Sequence, residues 1–397
     1  MVAGVRRLIG PVLALAAAMF ALPAPSQVAT APQSPRIVAI GDLHGDFEAW
    51  RAIAAAARLV DAKGRWIGGN AIVVQTGDVP DRGADTVMIV RDLMRLQREA
   101  KAAGGRVVAL VGNHEAMNIT GDLRYVSSGE YAAFADALSN RRRDQTYKAN
   151  RPKIEAHYRK ADPLLEDEDI RQRWLQATPR GMLEHQAAWH PNGEIGSWVI
   201  GNPAVVVIDG TLFVHAGISA AYAGRSPDDI NRAVAAALAA RDSADDAIIN
   251  DPLGPLWYRG LARGAAAAQN SARGAAAAQN SARGAGAAQN PARGAAAAEN
   301  PARGAAAAQS DPQGGAPPGQ ASEYELASVL AATGARRMVI AHTPNPSGIL
   351  ILHGGRLARI DTGISSAYGG QPSYLEIIDG VMVPHLVPRP SPAKPAK

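Results

Sequence analysis

Seven residues, GDLHGDF at 41–47, pack two glycines, two aspartates and one histidine together. Two later stretches are built the same way: GDVPDRG at 77–83 and GNHE at 112–115. Between them they offer Asp42, His44, Asp78, Asn113 and His114, and the isolated His215 and His342 add two more nitrogens. Mixed Asp, Asn and His donors suit borderline divalent metals such as Mn, Fe or Zn. A carboxylate lying between two such groups can bridge a metal pair, an arrangement that clamps the attacking and leaving oxygens in phosphoryl transfer. The glycines beside the donors permit tight turns and close approach of backbone to backbone. One Asp-x-His alone is weak evidence. Three such stretches in this order, each after an apolar run, are strong evidence.

The elements that must position these residues can be read around them. Arg36–Ile40, Ala71–Gln75 and Arg106–Val111 are short β-rich runs, and each ends at one of the polar stretches. Ala49–Leu59 and Thr86–Ala103 read as helices, the second from apolar residues near a 3.6 period. Strand, polar loop and helix in alternation predict an α/β domain with its functional groups on loops beyond the strands' carboxyl ends. Residues 121–196 turn polar and charged and predict a helical insertion, a candidate cap. Its Arg141-Arg142-Arg143 run reads as a solvated face, with a substrate contact as the alternative. Strand runs resume at Ala204–Ile208 and Thr211–Val214, just before His215, and Met338–Ala341 precedes His342.

The 397-residue chain carries no cysteine, which excludes disulfides, thiolate ligands and a cysteine nucleophile. Its net charge of +5 is spread over local segments, so it is not read as a nucleic-acid footprint. Residues 1–26 combine Arg6 and Arg7 with an apolar run from Leu8 to Leu22 and small residues near Ala24. That pattern predicts an export signal, hence a periplasmic or secreted protein with no membrane span once the signal is removed. An uncleaved anchor is the alternative. Residues 261–320 hold a ten-residue repeat of the type SARGAAAAQN, with a glycine in every unit and almost nothing apolar to bury. It predicts a disordered loop between a first core segment, 35–260, and a second, 321–387. Its five arginines could touch an anionic envelope weakly. Residues 388–397 read as a disordered tail.

GDLHG, GDVPDRG and GNHE resemble the signature motifs of the calcineurin-like metallophosphoesterases, in the version held by phosphoprotein phosphatases. GDLRYVS (121–127), LFVHAGIS (212–219), GPLWYRG (254–260) and AHTP (341–344) resemble, more narrowly, the Shewanella-like protein phosphatases. The similarity covers about Arg36–Gly260 and Tyr324–Leu386. It implies an α/β sandwich of two packed mixed β-sheets flanked by helices, with the helical insertion set into it. It implies two divalent ions. Asp42, His44 and a bridging Asp78 would hold one, and Asp78, Asn113 and His215 the other, with His342 completing the set on either ion. It implies His114 as general acid oriented by Asp81, Arg82 and Arg259 as the phosphate grip, and attack by a metal-bridging hydroxide. The implied substrate is a phosphoprotein, phosphotyrosine or dual in specificity, or a small phosphomonoester. Diadenosine tetraphosphate hydrolysis is the nearest enzymatic alternative. A non-catalytic envelope-binding protein is the alternative of another class. Tyr125 and Tyr258 could line the pocket or pack in the core, and Asp361 could order the site from behind. His157, His185, His190, His353 and His385 match no motif and read as surface or structural residues. Ala341 stands where the family usually has glycine, and the repeat begins so close to Arg259 that it could pull on that turn.

Overall fold

The computed structural model describes Met1, residues 34–263 and residues 318–389. The segment read as an export signal, nearly all of the repeat and most of the tail lie outside the described residues.

Ten strands form two five-stranded sheets. In the first, β1 (Ile37–Ile40), β2 (Ile72–Gln75) and β3 (Arg106–Ala109) run parallel, β9 (Ser373–Ile378) pairs antiparallel with β1, and β10 (Val381–Leu386) pairs antiparallel with β9. In the second, β5 (Thr211–Val214), β6 (Arg337–Ile340) and β8 (Leu357–Arg359) run parallel, edged by antiparallel β4 (Val205–Ile208) and β7 (Leu350–Leu352). The mixed-sheet sandwich expected from the sequence is therefore present.

Strand residues alternate between two apolar layers, as the two-residue period of a strand requires. Ile37, Ala39, Val74, Val108, Phe213, Val339, Ala358 and Leu375 fill the space between the sheets. Val38, Ile40, Val73, Val107, Leu212 and Met338 face outward into helix-covered core. Helix α1 (Phe47–Ala56) buries Trp50 and Ile53, and α2 (Thr86–Ala102) buries Ile89, Val90, Leu93 and Leu96. α2 starts where the sequence predicts, and α1 starts two residues earlier, at Phe47 and not Ala49. Asp46 caps α1 by accepting the Ala49 N–H at 2.9 Å.

α3 (Asn113–Thr120) follows β3. Then come five helices: α4 (Ser128–Phe134), α5 (Ser139–Ala161), α6 (Asp167–Ala177), α7 (Met182–Trp189) and α8 (Glu194–Ile200). They constitute the expected helical insertion. Its triple-arginine run is used within the insertion: Arg142 pairs with Asp136 and Glu184, and Arg143 donates to the Leu175 carbonyl. α9 (Pro227–Ala240) precedes the Trp257–Gly260 turn, and α10 (Pro318–Thr333) leads into β6. Leu261 and Ala262, counted with the repeat on sequence grounds, are core residues. Among the described residues no helix is long and apolar enough to cross a membrane.

Candidate active site

Every loop that carries a predicted ligand leaves the carboxyl end of a parallel strand. Asp42 and His44 follow β1, Asp78 follows β2, and Asn113 and His114 open α3 after β3. His215 follows β5, His342 follows β6 and Asp361 follows β8. All eight side chains are buried. The first two loops are laced together: the Leu43 and His44 N–H groups donate to the Asp78 carbonyl at 3.0 Å, and Gly45 donates to Val79 at 2.8 Å. Gly83 is obligatory in this lacing, because a Cβ there would lie 2.4 Å from the Gly45 carbonyl oxygen.

Five functional residues sit in left-handed backbone: His44, Asp78, Asp81, Arg82 and His342, with φ between 41° and 73°. Non-glycine residues there cost on the order of 1–3 kcal/mol each and persist only where the surroundings hold them. Glu115 is one such holder. Its carboxylate accepts the backbone N–H groups of Gly112 (2.8 Å), Asp78 (3.0 Å) and Val79 (2.8 Å), so the GNHE glutamate ties the second loop to the third.

The donors converge in two groups, His44–Asp78–His114 and Asp78–His215–His342, each with ligand atoms within 4.8 Å of one another. Asp78 belongs to both, as a bridging carboxylate must. The histidine tautomers show that these atoms fit metal. His215 donates from Nδ1 to the Thr76 carbonyl and His44 from Nδ1 to the Pro80 carbonyl, each at 2.9 Å, which leaves both Nε2 atoms as lone pairs. The His215 Nε2 lone pair then faces Asn113 Oδ1 at 2.9 Å, His342 Nδ1 at 3.1 Å and Asp78 Oδ2 at 3.3 Å. Such a cluster of acceptors is reconciled by a cation at its centre. Burial pushes His342 well below the usual imidazole range, reinforced by His215, and burial with the neighbouring His114 lowers His44 to about 3. Both are therefore neutral, as ligands must be. Asp42 is pushed well up by burial and by Asp361 and Asp78. Asp78 is held well below the carboxylate range by His215 and His114 despite its burial.

His114 differs from these. Its Nδ1 bonds to Asp81, its backbone N–H donates to Asp78 Oδ1 at 2.9 Å, and Asp78 and Asp81 raise its pKa against the cost of burial. Asn118 donates to the second oxygen of Asp81 at 3.0 Å and to the His114 carbonyl at 2.9 Å. This favours the protonated form of the imidazole, with Nε2 turned toward Asp78, 3.9 Å away, an arrangement suited to donating a proton.

Arg82 stands between two tyrosines, its guanidinium carbon 4.7 Å from each of the Tyr125 and Tyr368 ring centres. Tyr125, left between pocket and core by the sequence, is a pocket residue. Tyr258 is half-buried and donates its hydroxyl to Glu325 at 2.5 Å. Arg259 reaches Thr343, beside His342, at 3.3 Å. The turn that carries it is held at the first residues of the repeat, where Arg359 donates to the Ala262 carbonyl at 3.1 Å. Ala341 is accommodated with its methyl in the inter-sheet layer. Asp361 accepts the Gly363 N–H at 2.9 Å and is raised to about 6 by burial. Tyr368, Asn118 and Glu115 were not singled out from sequence. Glu115 lay in a quoted motif with the spacing of a helix-capping glutamate, whereas Tyr368 follows no motif and is brought in by tertiary folding.

The family described as calcineurin-like phosphoesterase matches residues 35–265. Shewanella-like protein phosphatase 2 of Arabidopsis thaliana is 37% identical over 205 residues, covering 50% of this chain and 50% of the plant protein. Shewanella-like protein phosphatase 1 of Plasmodium berghei is 30% identical over 196 residues, covering 49% of this chain and 42% of the other. The chain thus spans half or less of the length of these two curated relatives. Among solved structures, the cold-active protein-tyrosine phosphatase of a psychrophilic Shewanella superposes with a TM-score of 0.53 at 20% identity, covering 89% of this chain and 81% of that one. This likeness is one of fold.

Proposed function

Because the chain belongs to the calcineurin-like phosphoesterases, we propose that it is a metal-dependent phosphomonoesterase acting on phosphoproteins, on phosphotyrosine or with dual specificity. The observation that carries this reading is the double metal-type cluster sharing Asp78, with the His114–Asp81 pair at its edge. The names of the two relatives support the phosphoprotein class. The aromatic walls of Tyr125 and Tyr368 beside Arg82 support an aryl phosphate.

In this reading Asp42, His44 and Asp78 hold one divalent ion and Asp78, Asn113 and His215 the other, with His342 on the side of His215. Mn, Fe and Zn all suit the donor set. What the bound ions supply is a water ionised near neutral pH and neutralisation of phosphoryl charge. The chain's own residues do the rest. Arg82 and Arg259 orient phosphate oxygens, for which a guanidinium fork is suited. His114 protonates the departing oxygen from Nε2, and Asp81 holds the ring in that tautomer through Nδ1. The basic, repeat-bearing envelope binder is disfavoured, because it would not need His114, Asp81, Arg82 and Arg259 assembled together. Periplasmic or secreted placement is proposed from residues 6–26 alone, and the mass of the mature N-terminus tests it.

The deciding experiment is phosphate release by residues 27–397, stripped of metal and reloaded with Mn. The substrates are a phosphotyrosine peptide, a phosphothreonine peptide and diadenosine tetraphosphate, with His114→Ala as control. Metal-dependent release from a peptide, lost in the variant, is expected. Cleavage of the dinucleotide alone would replace the substrate class, and no release with any divalent metal would overturn the reading.

A further inference from the structure

Behind the His114–Asp81 pair lies a second buried pair, Glu130 and His185, both wholly enclosed. Glu130 begins as a familiar helix-start residue: Ser127 caps α4 and accepts the Glu130 N–H at 3.0 Å. In the Ser-x-x-Glu arrangement the glutamate normally returns to the N–H of the cap. Here its Oε2 instead accepts the N–H of Asp81 at 3.0 Å, across 49 positions of sequence. Asp81 is the residue of that loop with the largest non-glycine φ, 73°, so its backbone needs an external tether.

The other carboxylate oxygen, Oε1, lies 3.5 Å from His185 Nε2. The His185 ring is packed by Tyr131, Phe134 and Trp189, with centroids 5.3, 5.0 and 6.0 Å away. The carboxylate of Glu130 is thus met by the imidazole of His185 and by the hydroxyl of Thr86, both from inside the protein. An apolar filling of similar volume is often as stable as, or more stable than, a buried carboxylate–imidazole pair. Stability alone does not account for the pair.

We infer that Glu130 is a positioning residue for the general acid, fixing the Asp81 backbone so that Asp81 in turn fixes His114, and that His185 of the insertion holds the Glu130 rotamer. The insertion would thereby complete the catalytic site through one carboxylate rather than merely cover it. The inference rests on the phosphatase reading for its kinetic arm only.

The test exploits leaving groups. Phenyl phosphate needs a proton on its departing oxygen, and p-nitrophenyl phosphate needs it far less. In the metal-loaded full-length protein, Glu130→Ala is expected to lower kcat on phenyl phosphate by roughly tenfold to a hundredfold with KM little changed. On p-nitrophenyl phosphate the loss should stay below about threefold. Glu130→Gln, which keeps an acceptor for the Asp81 N–H, should recover most of the loss. His185→Gln should show the same bias more weakly, and it stands in if Glu130→Ala fails to fold. Equal losses on both substrates, or unchanged kinetics in folded variants, would overturn the inference. A second readout is independent of turnover: the downfield imidazole N–H resonance of His114, assigned by its absence in His114→Asn, should shift or exchange faster in the variants. If the wild type proves inactive, the phosphatase reading falls, and this resonance still decides the positioning role. An unmoved resonance would overturn it.

Discussion

His44 and His114 lie 4.7 Å apart, ring centre to ring centre, yet their protons are driven in opposite directions. Burial and the neighbouring His114 lower His44 to about 3, while Asp78 and Asp81 raise His114 against burial. Two imidazoles in one pocket are thereby pushed toward opposite protonation states, as the ligand and acid roles proposed for them require. The two substitutions should separate accordingly. His114→Asn should lower kcat by about 10²–10⁴-fold with metal content intact, whereas His44→Asn should lose metal first. Steady-state kinetics paired with elemental analysis checks both, and a metal-free His114→Asn protein would contradict the assignment. Tyr368→Ala removes one wall beside Arg82, a contact of about 0.5–2 kcal/mol. It should raise KM for a phosphotyrosine peptide about twofold to thirtyfold, and an unchanged KM would remove the aromatic argument for aryl substrates. Of the residues gathered here, Asp42, His44, Asp78, Asn113 and His114 were legible in sequence because each lies in a short, ordered motif. Tyr368 was not, because it reaches Arg82 from a loop more than 280 positions later and nothing local marks it. The left-handed backbone of His44, Asp78 and His342 was equally hidden, since only tertiary contacts hold non-glycine residues there.

At the scale of elements, the strands and major helices were legible because apolar runs broken by polar, glycine-bearing loops leave few alternatives. Strand order was not. Nothing in residues 373–386 says that β9 pairs antiparallel with β1 at the opposite end of the chain, because pairing partners are chosen by packing and not by local pattern. The same holds for the loops beyond β1 and β2, whose lacing depends on two glycines meeting face to face. A Cβ on Gly83 would fall 2.4 Å from the Gly45 carbonyl oxygen and 2.5 Å from that of His44, both of them backbone atoms that cannot swing aside. Gly83→Ala should therefore cost about 1–3 kcal/mol, as forced overpacking does, and should weaken metal binding as well, because His44 rides on the displaced backbone. Thermal unfolding and a metal titration check this together. A variant with unchanged melting and affinity would show that the two loops are free to separate.

In the molecule as a whole, the two metal-type clusters are the place where two sheets, each built from its own stretches of sequence, meet: His44, Asp78 and His114 come from one, His215 and His342 from the other. Metal binding should therefore stabilise the whole sandwich, and its dependence on pH follows from the buried acids. Burial raises Asp361 to about 6 and Glu115 to about 7, Asp42 is pushed well up, and His215 is raised by Asp78 against its burial. A group whose folded pKa lies above its unfolded value contributes stability at low pH, and this is lost as pH rises through the folded value. His44 and His342 are lowered, so they act in the opposite sense, but their effect is complete by about pH 6.5, the ordinary histidine value. Between about pH 6.5 and 8 the raised groups alone remain, and the metal-free protein should lose stability. A cation reverses this, because it takes the place of the proton on Asp42 and offsets the crowded carboxylates. The gain in melting temperature on adding Mn to chelator-treated protein should thus grow from about pH 6.5 to 8, and binding should release protons, measurable by calorimetry in buffers of different ionisation enthalpy. A gain that stays constant or shrinks over that range would mean that the acids gathered around Asp78 are not the ones a metal displaces.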